Sequence, residues 1–407
     1  MTHRVLLADC DAMFCAVARL VDPDGAGKAP ILIVGGSRGS RGVVCSASYE
    51  ARAFGVRSGM SIAQAERLCP GAVFAPVPGQ ACGEKSREVR AVLQEWAPVV
   101  DQASIDEFYL GMNGTEALYR GEPLDATAQR IRRDILERTE LPVSIGGGTN
   151  RLIAKLAVET AKPGRGGTGV FVVPAGGEAD FVAELDLVAL PGVGPRFAAS
   201  LRDRGLVRVR DALGLDRHVL EEWFGLRTGR WLYDRLRGVS RTPVTEDREA
   251  KSMSRENTFA EDLETDQELE TELIRLATRV CGDLRRAGLG ARTVTVKLRD
   301  FDFRTRNASR TLPRPVSTER VVLPVVRELL TGLRARRRVP ARLLGVALSG
   351  LQAGGEEQLP LLDLEAGLES ERDRRIAQTV DRIQRRFGRE AIVPGRLVEG
   401  EEGREGR

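Results

Sequence analysis

Two short acidic stretches of the chain could bind metal ions. Residues 9–11 (DCD) follow an apolar run at 5–8, and residues 104–107 (SIDE) separate two strand-like segments. A short apolar run of this kind is typical of a buried strand, which places the first acid at a strand end. Carboxylates that converge from neighbouring strands suit hard divalent cations such as Mg²⁺, which prefer oxygen ligands in octahedral geometry. The combination therefore predicts a metal site formed by both stretches.

The second stretch can serve such a site only if the chain turns there. On a regular strand Asp106 and Glu107 would point to opposite faces of the sheet. A hairpin turn at this position is consistent with the short spacing between the two strand-like segments. Each stretch alone also has a purely structural explanation, because acids are common at strand ends and in turns. The prediction therefore depends on the two stretches together.

The elements around these acids alternate in a recognisable order. After the first strand, Asp11 is a candidate cap for a helix that runs to about Leu20. The pattern then predicts a helix over about 84–96, strands at 99–105 and 108–112, a helix at about 125–139 and a strand at 143–146. The order β-α-β-β-α-β is that of a ferredoxin-like fold around an antiparallel sheet, and the fold class is α+β. A Gly-rich loop at 35–42 and short helices at 47–54 and 61–69 form an insertion.

A helical region from about 178 to 238 contains the sequence LPGVGP at 190–195. Two glycines around a valine allow a tight turn whose backbone N–H groups can approach a phosphate. This turn resembles a helix-hairpin-helix, which grips the DNA backbone, but an ordinary turn between two helices explains it equally well. Residues 239–250 are polar and aperiodic, which is typical of a linker.

A second α+β domain follows the linker. Residues 293–299 alternate strictly, so Val294, Val296 and Leu298 face a core while Lys297 and Arg299 face outward. Helices are predicted at about 266–287 and 318–335, and a strand at 342–350. Residues 284–342 contain 16 Lys and Arg against 4 Asp and Glu, which favours a polyanionic partner over a merely solvated basic surface. From 352 onward the pattern indicates a flexible tail with one helix around 370–387.

Composition narrows the class of protein. The chain has 407 residues, 42% hydrophobic and 29% charged, which suits a globular protein of several domains. We expect no membrane span, because no stretch of about 20 apolar residues occurs, and no secretory leader, so we expect a cytoplasmic protein. Only two histidines and no CxxC pair are present, which argues against a zinc cluster.

At this point the residues match a known family. The chain resembles the Y-family DNA polymerases, in the DinB or polymerase IV branch, from about Val5 to about Leu351, in the stretches DCDAMFCAV, RGVVCSASYEARAFGVRSGM, SIDEFYL, NRLIAKLAVETAKP, LPGVGP and KSMSRENTF. The resemblance implies a right-hand polymerase: a palm at 1–18 and 75–173, fingers at 19–74, a helical thumb at 174–238, a linker at 239–250, a little finger at 251–351 and a tail at 352–407.

The resemblance also assigns catalytic residues. Asp9, Asp106 and Glu107 match the family's metal-binding carboxylates, and Cys10 would offer a backbone carbonyl to the nucleotide-side metal. Two Mg²⁺ ions per site are implied, and Mn²⁺ would also suit oxygen ligands. The implied reaction is template-directed nucleotidyl transfer from a dNTP to a primer 3′-hydroxyl across damaged templates, with low processivity and no proofreading.

The nucleotide pocket follows from the same resemblance. Tyr49, Arg52 and Lys155 match positions that hold the triphosphate, for which cationic partners are expected. Phe14 matches the steric gate, an aromatic ring that would clash with a ribose 2′-hydroxyl; without the resemblance it would be interpreted as a core aromatic.

Four residues depart from the family pattern. Met13 replaces the usual aromatic residue, Cys15 replaces alanine, Ala18 replaces glutamate, and Phe108 replaces a small residue beside the acidic pair. None is a metal ligand, but together they bear on the pocket's shape and on its discrimination between sugars.

The expected partners are primer–template DNA, dNTP and a bacterial sliding clamp, with the protein itself a monomer. The clamp peptide would be Gln358, Leu359, Leu361 and Leu362 in the tail. The candidate DNA contacts are Gly192, Gly194, Lys297, Arg299, Arg304 and Arg306.

Two other functions are weaker alternatives. One is a non-catalytic, clamp-associated adaptor of the same fold, which the three retained carboxylates argue against. The other is a metal-dependent nuclease, which would leave the residues at the triphosphate positions unexplained.

Overall fold

The computed structural model describes residues 3–246, 249–353 and 369–400. The chain divides into two compact units, Met1–Arg248 and Glu249–Arg407. Each unit has its own hydrophobic core.

A five-stranded sheet organises the first unit. Its strands have the order β5-β6-β1-β7-β8, and all neighbours are antiparallel except β7 and β8. The strands are β1 (Val5–Cys10), β5 (Val99–Gln102), β6 (Glu107–Gly111), β7 (Val143–Gly148) and β8 (Val170–Val172), and the helices that accompany them are α1 (Met13–Val21), α4 (Gly79–Trp96), α5 (Leu124–Thr139) and α6 (Arg151–Ala161). The ferredoxin-like order expected from the sequence is present, with β8 added at one edge.

The sequence of β1 explains its central place in this sheet. All six residues of the strand are buried, because helices cover both faces of the sheet. Leu6 and Ala8 join the core under α4 and α5, while Leu7 packs with Ala154 and Val158 of α6 on the other face. A continuous apolar run is what a strand buried on both faces requires.

Residues 32–75 contain a small sheet that the sequence analysis did not predict. The strands β2 (Leu32–Gly35), β3 (Val44–Ala47) and β4 (Val73–Ala75) have the order β3-β2-β4, and α2 (Tyr49–Ala53) and α3 (Ile62–Leu68) accompany them. Each strand has only three or four residues, too few for an alternating pattern to stand out. Ser48 and Ser61 cap α2 and α3, as expected of serine at a helix N-terminus.

Short helices make up residues 178–236. They are α7 (Glu178–Ala183), α8 (Pro195–Arg202), α9 (Val209–Ala212), α10 (Arg217–Phe224) and α11 (Leu226–Leu236). The described part of the linker that follows lies against the first unit: Glu246 accepts a hydrogen bond from the Val100 N–H at 3.3 Å, and Arg151 donates to the Pro243 carbonyl at 3.3 Å.

The second unit is a four-stranded antiparallel sheet in the order β11-β10-β12-β9, packed against two helices. Its elements are β9 (Ser252–Leu263), α12 (Asp266–Arg286), β10 (Leu289–Asp300), β11 (Thr305–Val316), α13 (Glu319–Arg336) and β12 (Ala341–Ala353). Thr265 and Glu268 form a capping box that begins α12. The sequence analysis missed β9 and β11 because both are largely polar, β9 being an exposed edge strand.

The folded part of this unit extends beyond the expected boundary at 351. The helix α14 (Glu371–Phe387) is present where the sequence predicts one. It is held in place by Asp381, which pairs with Arg285 at 2.7 Å, and by Glu369, which accepts from the Ser317 N–H at 2.7 Å. Residues 369–387 therefore belong to the packed unit, whereas the sequence analysis placed this helix in a mostly flexible tail at 352–407. Within the described ranges, no helix is both long and apolar enough to cross a membrane.

Candidate active site

The two acidic stretches meet in the five-stranded sheet. Asp9 lies directly opposite Glu107 where β1 pairs with β6, and the Cys10 N–H donates to the Asp106 carbonyl at 2.9 Å. Asp9 is 6% exposed, whereas Asp106 and Glu107 are half-buried. The sheet thus brings together the three carboxylates that the sequence analysis selected.

The chain turns between β5 and β6, as a shared site for both acids requires. The Ser104 hydroxyl accepts hydrogen bonds from the Asp106 N–H at 3.3 Å and the Glu107 N–H at 3.1 Å, and it donates to the Asp106 carboxylate. Ser104 therefore stabilises the turn and orients the Asp106 carboxylate. Serine commonly hydrogen-bonds to the backbone of a turn, so its position before the acidic pair was a sequence signal for this role.

Two lysines face these carboxylates. Lys155 lies 2.6 Å from Glu107 and 3.8 Å from Asp9, and Lys162 lies 3.0 Å from Asp9. Burial works against the charged ammonium groups, but contact with the carboxylates outweighs it and raises the pKa of both lysines. The sequence analysis missed Lys162; its only signal was a position directly after α6, in the AKPG stretch.

A close approach between α6 and β7 brings the lysines within reach. A Cβ added at Gly146 would lie 2.1 Å from the Val158 nitrogen and 2.3 Å from the Ala154 carbonyl oxygen. Only glycine therefore allows the helix to pack this closely on the strand. Lys155 lies on α6 and Lys162 immediately follows it.

The electrostatics of Asp9 differ from those of a surface acid. Burial raises the pKa of Asp9 to about 6, even though Lys162 and Lys155 both act to lower it. The two lysines therefore offset only part of the free-energy cost of burying the charged Asp9 carboxylate. A site of this kind favours additional positive charge beside Asp9.

Asp11 connects helix α2, which follows strand β3 of the three-stranded sheet, with strand β7 of the five-stranded sheet. Its buried carboxylate accepts hydrogen bonds from the Tyr49 hydroxyl at 2.7 Å and from the Ser144 hydroxyl at 2.9 Å. Burial, followed by the contact with Asp11, raises the pKa of Tyr49. The Arg52 guanidinium lies 5.0 Å from the centre of the Tyr49 ring and donates from Nε to the Ala47 carbonyl at 3.0 Å. The sequence pattern indicated Asp11 as the cap of α1, but the N-cap of that helix is Ala12 and no side chain caps it.

A cleft of about 150 Å³ connects the acids with these residues. Phe14 lies in its wall, is half-buried, and also packs against two of the unit's hydrophobic clusters. Lys155 is outside the wall, whereas Lys162 is part of it. Burial raises the pKa of the Cys10 thiol, so this group stays protonated. The residues that line the cleft are Asp9, Cys10, Ala12, Met13, Phe14, Cys45, Ser46, Tyr49, Arg52, Ser58, Asp106, Glu107 and Lys162.

The donor chemistry of this cleft suits a hard divalent cation. Asp9, Asp106 and Glu107 offer only carboxylate oxygens, and the ammonium groups beside them indicate a site that attracts positive charge. As they stand, no three His, Cys, Asp or Glu side chains among the described residues converge tightly enough to form a complete metal site. The chemistry of the donors therefore fits, although the carboxylates are not preassembled.

The departures from the family pattern occupy packed positions. Met13, Cys15 and Ala18 are all buried on α1, and Phe108 is fully buried in the core between the five-stranded sheet and helices α4 and α5. Of these four residues, Met13 alone lies in the wall of the cleft.

The outward face of the second unit's sheet carries Lys297 and Arg299, as expected. Lys297 pairs with Glu256 at 2.7 Å, and Arg299 donates to the Thr305 hydroxyl at 2.9 Å. Arg304 is exposed in the turn between β10 and β11. Cross-strand hydroxyl pairs continue this face, with Thr293 beside Thr311 and Thr295 beside Ser309.

Arg306, which the sequence analysis expected among the DNA contacts, does not lie on this outward face. Register places it opposite Leu298, which faces the helices. Its side chain pairs with the fully buried Asp300 at 2.7 Å and donates to the Leu333 carbonyl. Since β11 was not predicted, nothing in the sequence indicated which face Arg306 would occupy.

The two glycines of the LPGVGP turn lie where the chain enters α8. Gly192 has φ +100°, and a Cβ at this position would come within 2.6 Å of the Trp231 ring, so both conformation and packing require glycine. Gly194 is the N-cap of α8. The peptide residues Gln358, Leu359, Leu361 and Leu362 lie outside the described residues.

Two family profiles match the chain. The impB/mucB/samB family matches residues 8–159, and the impB/mucB/samB family C-terminal domain matches residues 250–361. The DNA polymerase IV of Dehalococcoides mccartyi (strain CBDB1) is 34% identical over 394 residues, 97% of each chain. The DNA polymerase IV of Halorhodospira halophila is 38% identical over 356 residues, 88% of this chain and 97% of the relative.

Solved structures with the same fold are also polymerases. The Y-family DNA polymerase chimera Dbh-Dpo4(243-245)-Dbh superimposes with a TM-score of 0.74 at 25% identity, covering 86% of this chain and 99% of the other. An insertion ternary complex of Dbh DNA polymerase gives a TM-score of 0.59 at 25% identity, with the same coverage.

Proposed function

Because the chain belongs to the impB/mucB/samB family and is a Y-family DNA-directed DNA polymerase of the translesion type, we propose that it extends primers by two-metal nucleotidyl transfer. The observation that carries this mechanism is the meeting of Asp9, Asp106 and Glu107 at one cleft whose wall also carries Tyr49, Arg52 and Lys162. Low processivity and the lack of proofreading belong to the same proposal.

The three carboxylates are the proposed metal ligands, with the Cys10 carbonyl beside them. Two Mg²⁺ ions, when bound, would supply the positive charge that stabilises the attacking 3′-oxygen and the leaving pyrophosphate; Mn²⁺ suits the same oxygen ligands. Asp9 holds its negative charge in a buried position, Ser104 orients Asp106, and Lys155 lies within ion-pair distance of Glu107. Little acid–base chemistry by the protein is then needed.

The part of the cleft wall that carries Tyr49, Arg52 and Lys162 is the proposed nucleotide site. Arg52 can bind a phosphate through two nitrogens, while Tyr49 supports its guanidinium with the ring. Lys162 lies in the wall and joins Lys155 as a candidate cation for the triphosphate. Phe14 is the proposed steric gate that lies beneath the sugar.

Primer extension with single dNTPs tests this function directly. We expect the full-length protein with Mg²⁺ to add the nucleotide complementary to an undamaged template base, and to insert opposite an abasic site as well. Salt-sensitive DNA binding without any extension would instead identify the protein as a non-catalytic adaptor.

Replacing Asp11 by asparagine tests how the nucleotide wall is held. The amide keeps the shape of the side chain but loses the charge that strengthens the hydrogen bond with Tyr49, so Tyr49 and Arg52 lose a fixed position. We expect the KM for dNTP to rise about tenfold, corresponding to a charge-assisted hydrogen bond of about 1.5–3 kcal/mol that is weakened rather than removed. Single-nucleotide kinetics with saturating primer–template measures this.

A matched pair of variants separates positioning from stability. Tyr49→Phe removes the same hydroxyl from the opposite side, so it should raise KM similarly and should add little to Asp11→Asn in the double variant. Ser144→Ala removes the other partner of Asp11 and should leave KM nearly unchanged. Additive effects of the Asp11 and Tyr49 variants would contradict the positioning role.

The DNA partner is proposed to lie along the outward face of the second unit's sheet, at Lys297, Arg299 and Arg304. Gly192 and Gly194 are the proposed backbone contacts of the helical region. Cationic and hydroxyl groups contact the phosphates of DNA and not the edges of its bases. Such a surface can therefore bind a template whose bases are distorted.

We also propose that the peptide at 358–362 binds a sliding clamp. Leu361→Ala combined with Leu362→Ala should remove stimulation by the clamp, because these leucines are the expected apolar anchors. Unassisted extension should stay intact. Primer extension with and without the clamp measures both effects.

A further inference from the structure

The turn between β10 and β11 presents two aromatic rings to solvent. Phe301 is 49% exposed and Phe303 is 63% exposed. Single exposed apolar residues are ordinary on protein surfaces, but here two phenylalanines occupy one short turn, residues 300–304, which we call the β10–β11 tip. Both rings lie outside the hydrophobic core of their unit.

The backbone of the β10–β11 tip is strained at one of these aromatics. Phe303 has a φ of 66°, in the left-handed region that a bulky residue rarely adopts. Its N–H donates to the Asp300 carbonyl at 3.0 Å, and the Asp300 N–H donates to the Arg304 carbonyl at 2.9 Å. Strain of this kind persists where the surroundings impose it, and it is concentrated at binding sites.

Buried ion pairs impose this conformation. Asp300 is fully buried and pairs with Arg306 at 2.7 Å and also with Arg337. Arg337 pairs in addition with Asp302 at 2.8 Å, which joins both ends of the tip to the end of α13. The two rings are therefore carried on a rigid support, so little conformational freedom would be lost when a partner binds them.

Three arginines lie at or beside the tip, and the carboxylate of Asp302 within it is paired with Arg337. The Arg342 guanidinium lies 4.5 Å from the centre of the Phe303 ring, Arg304 is exposed within the tip, and Arg299 lies at the adjoining end of β10. Throughout residues 3–246, 249–353 and 369–400, no carboxylate forms an ion pair with Arg299 or Arg304. Their charge is thus available to a polyanion, and the basic outward face of the sheet continues from the same end.

We propose that the β10–β11 tip is a stacking site for unpaired bases of single-stranded DNA. Aromatic rings interleaved with cations are how proteins bind single strands, because bases stack on the rings while the cations hold the phosphates. This inference rests on the proposed function for its DNA partner and adds a base-contacting element to a surface otherwise suited to phosphates alone. A docked protein would be an alternative occupant, and it would not respond to bases.

Fluorescence anisotropy of the full-length protein with labelled oligonucleotides tests the proposal. The probes are a short oligothymidylate, an abasic strand of the same length and a blunt duplex. Phe303→Gly removes the ring while glycine accepts the positive φ without strain, so this variant should fold at least as well as the wild type. Phe387→Ala is the matched control, since Phe387 is 66% exposed and carries Arg386 at 5.2 Å from its ring, but lies on α14.

Phe303→Gly combined with Phe301→Ala should bind oligothymidylate about 5-fold to 150-fold more weakly, which is the range for loss of one stacked base. Binding of the abasic strand and of the duplex should stay unchanged, and the control should match the wild type. Equal losses on all probes, or unchanged binding of oligothymidylate, would overturn the proposal. Primer extension measured in parallel keeps the two ideas apart: a wild type that binds bases through the tip but extends no primer would refute the proposed mechanism alone.

Discussion

Asp106→Asn combined with Glu107→Gln should reduce template-directed primer extension about 1,000-fold or more. These two carboxylates supply most of the negative charge at the open side of the cleft, while Asp9 supplies the buried part. Without these carboxylates the protein can no longer hold the metal ions that would stabilise the negative charge of the transition state. The activation barrier should therefore rise by several kcal/mol. A loss of about 1.4 kcal/mol corresponds to about tenfold in rate. Single-turnover extension with saturating dNTP measures the loss in the chemical step.

A surface acid provides the control for this variant. Asp24 pairs with Lys28 at 2.7 Å and has a side chain that is 91% exposed, so Asp24→Asn removes an ion pair that does not line the cleft. It should leave extension unchanged. The double variant should still bind primer–template DNA with the salt dependence of the wild type, because its cationic surfaces are intact. Extension that survives within tenfold would contradict the assignment of Asp106 and Glu107 as metal ligands.

Asp9→Asn should abolish extension and at the same time stabilise the metal-free protein at pH 7.5. The folded state holds the Asp9 proton with a pKa of about 6, against an ordinary value of 3.8, because burial disfavours the charge. Above this folded-state pKa the ionised group therefore destabilises the folded state, by an amount on the order of a few kcal/mol at about 1.4 kcal/mol for each pKa unit, because Lys162 and Lys155 offset only part of the cost of burial. Asparagine resembles the protonated acid and removes this cost.

The pH dependence of the stability difference between the wild type and Asp9→Asn tests the direction of this effect a second time. As the pH falls from about 6 toward 3.8, the folded wild type takes up a proton that the unfolded chain does not, so its disadvantage relative to Asp9→Asn should shrink. Urea unfolding with a chelator present, at pH 7.5 and at pH 4.5, measures both differences. Added Mg²⁺ should then stabilise the wild type and not the variant. A variant less stable than the wild type at pH 7.5 would mean that the ion pairs with Lys162 and Lys155 outweigh burial.

The sequence was sufficient to place the acids but not the groups that surround them. Asp9 and the pair at 106–107 could be brought together because strand ends and a required turn are local properties, visible in apolar runs and spacing. Lys162 could not be selected, because one lysine after a helix resembles any surface lysine until the packing of α6 on β7 is known. Asp11 was interpreted as a helix cap for the same reason, since its actual partners Tyr49 and Ser144 are distant along the chain.

The fold shows the same division between local and distant information. The alternation at 293–299 correctly predicted which side chains of β10 face the core. Arg306, however, was assigned to the DNA surface from its charge alone, although its orientation depends on the register of β11 with β10. The three short strands between residues 32 and 75 were invisible for a different reason: each is shorter than the pattern that identifies a strand.

Gly146 bears on how this enzyme could be redesigned. The distance between the lysines and the carboxylates depends on backbone packing, because a single added carbon at this position would collide with the main chain of α6. An engineer who alters the charge of the cleft can exchange the side chains that face it, but cannot adjust their spacing by substitutions at residue 146. The glycine sets a fixed dimension of the scaffold, and new chemistry in this cleft has to be fitted within it.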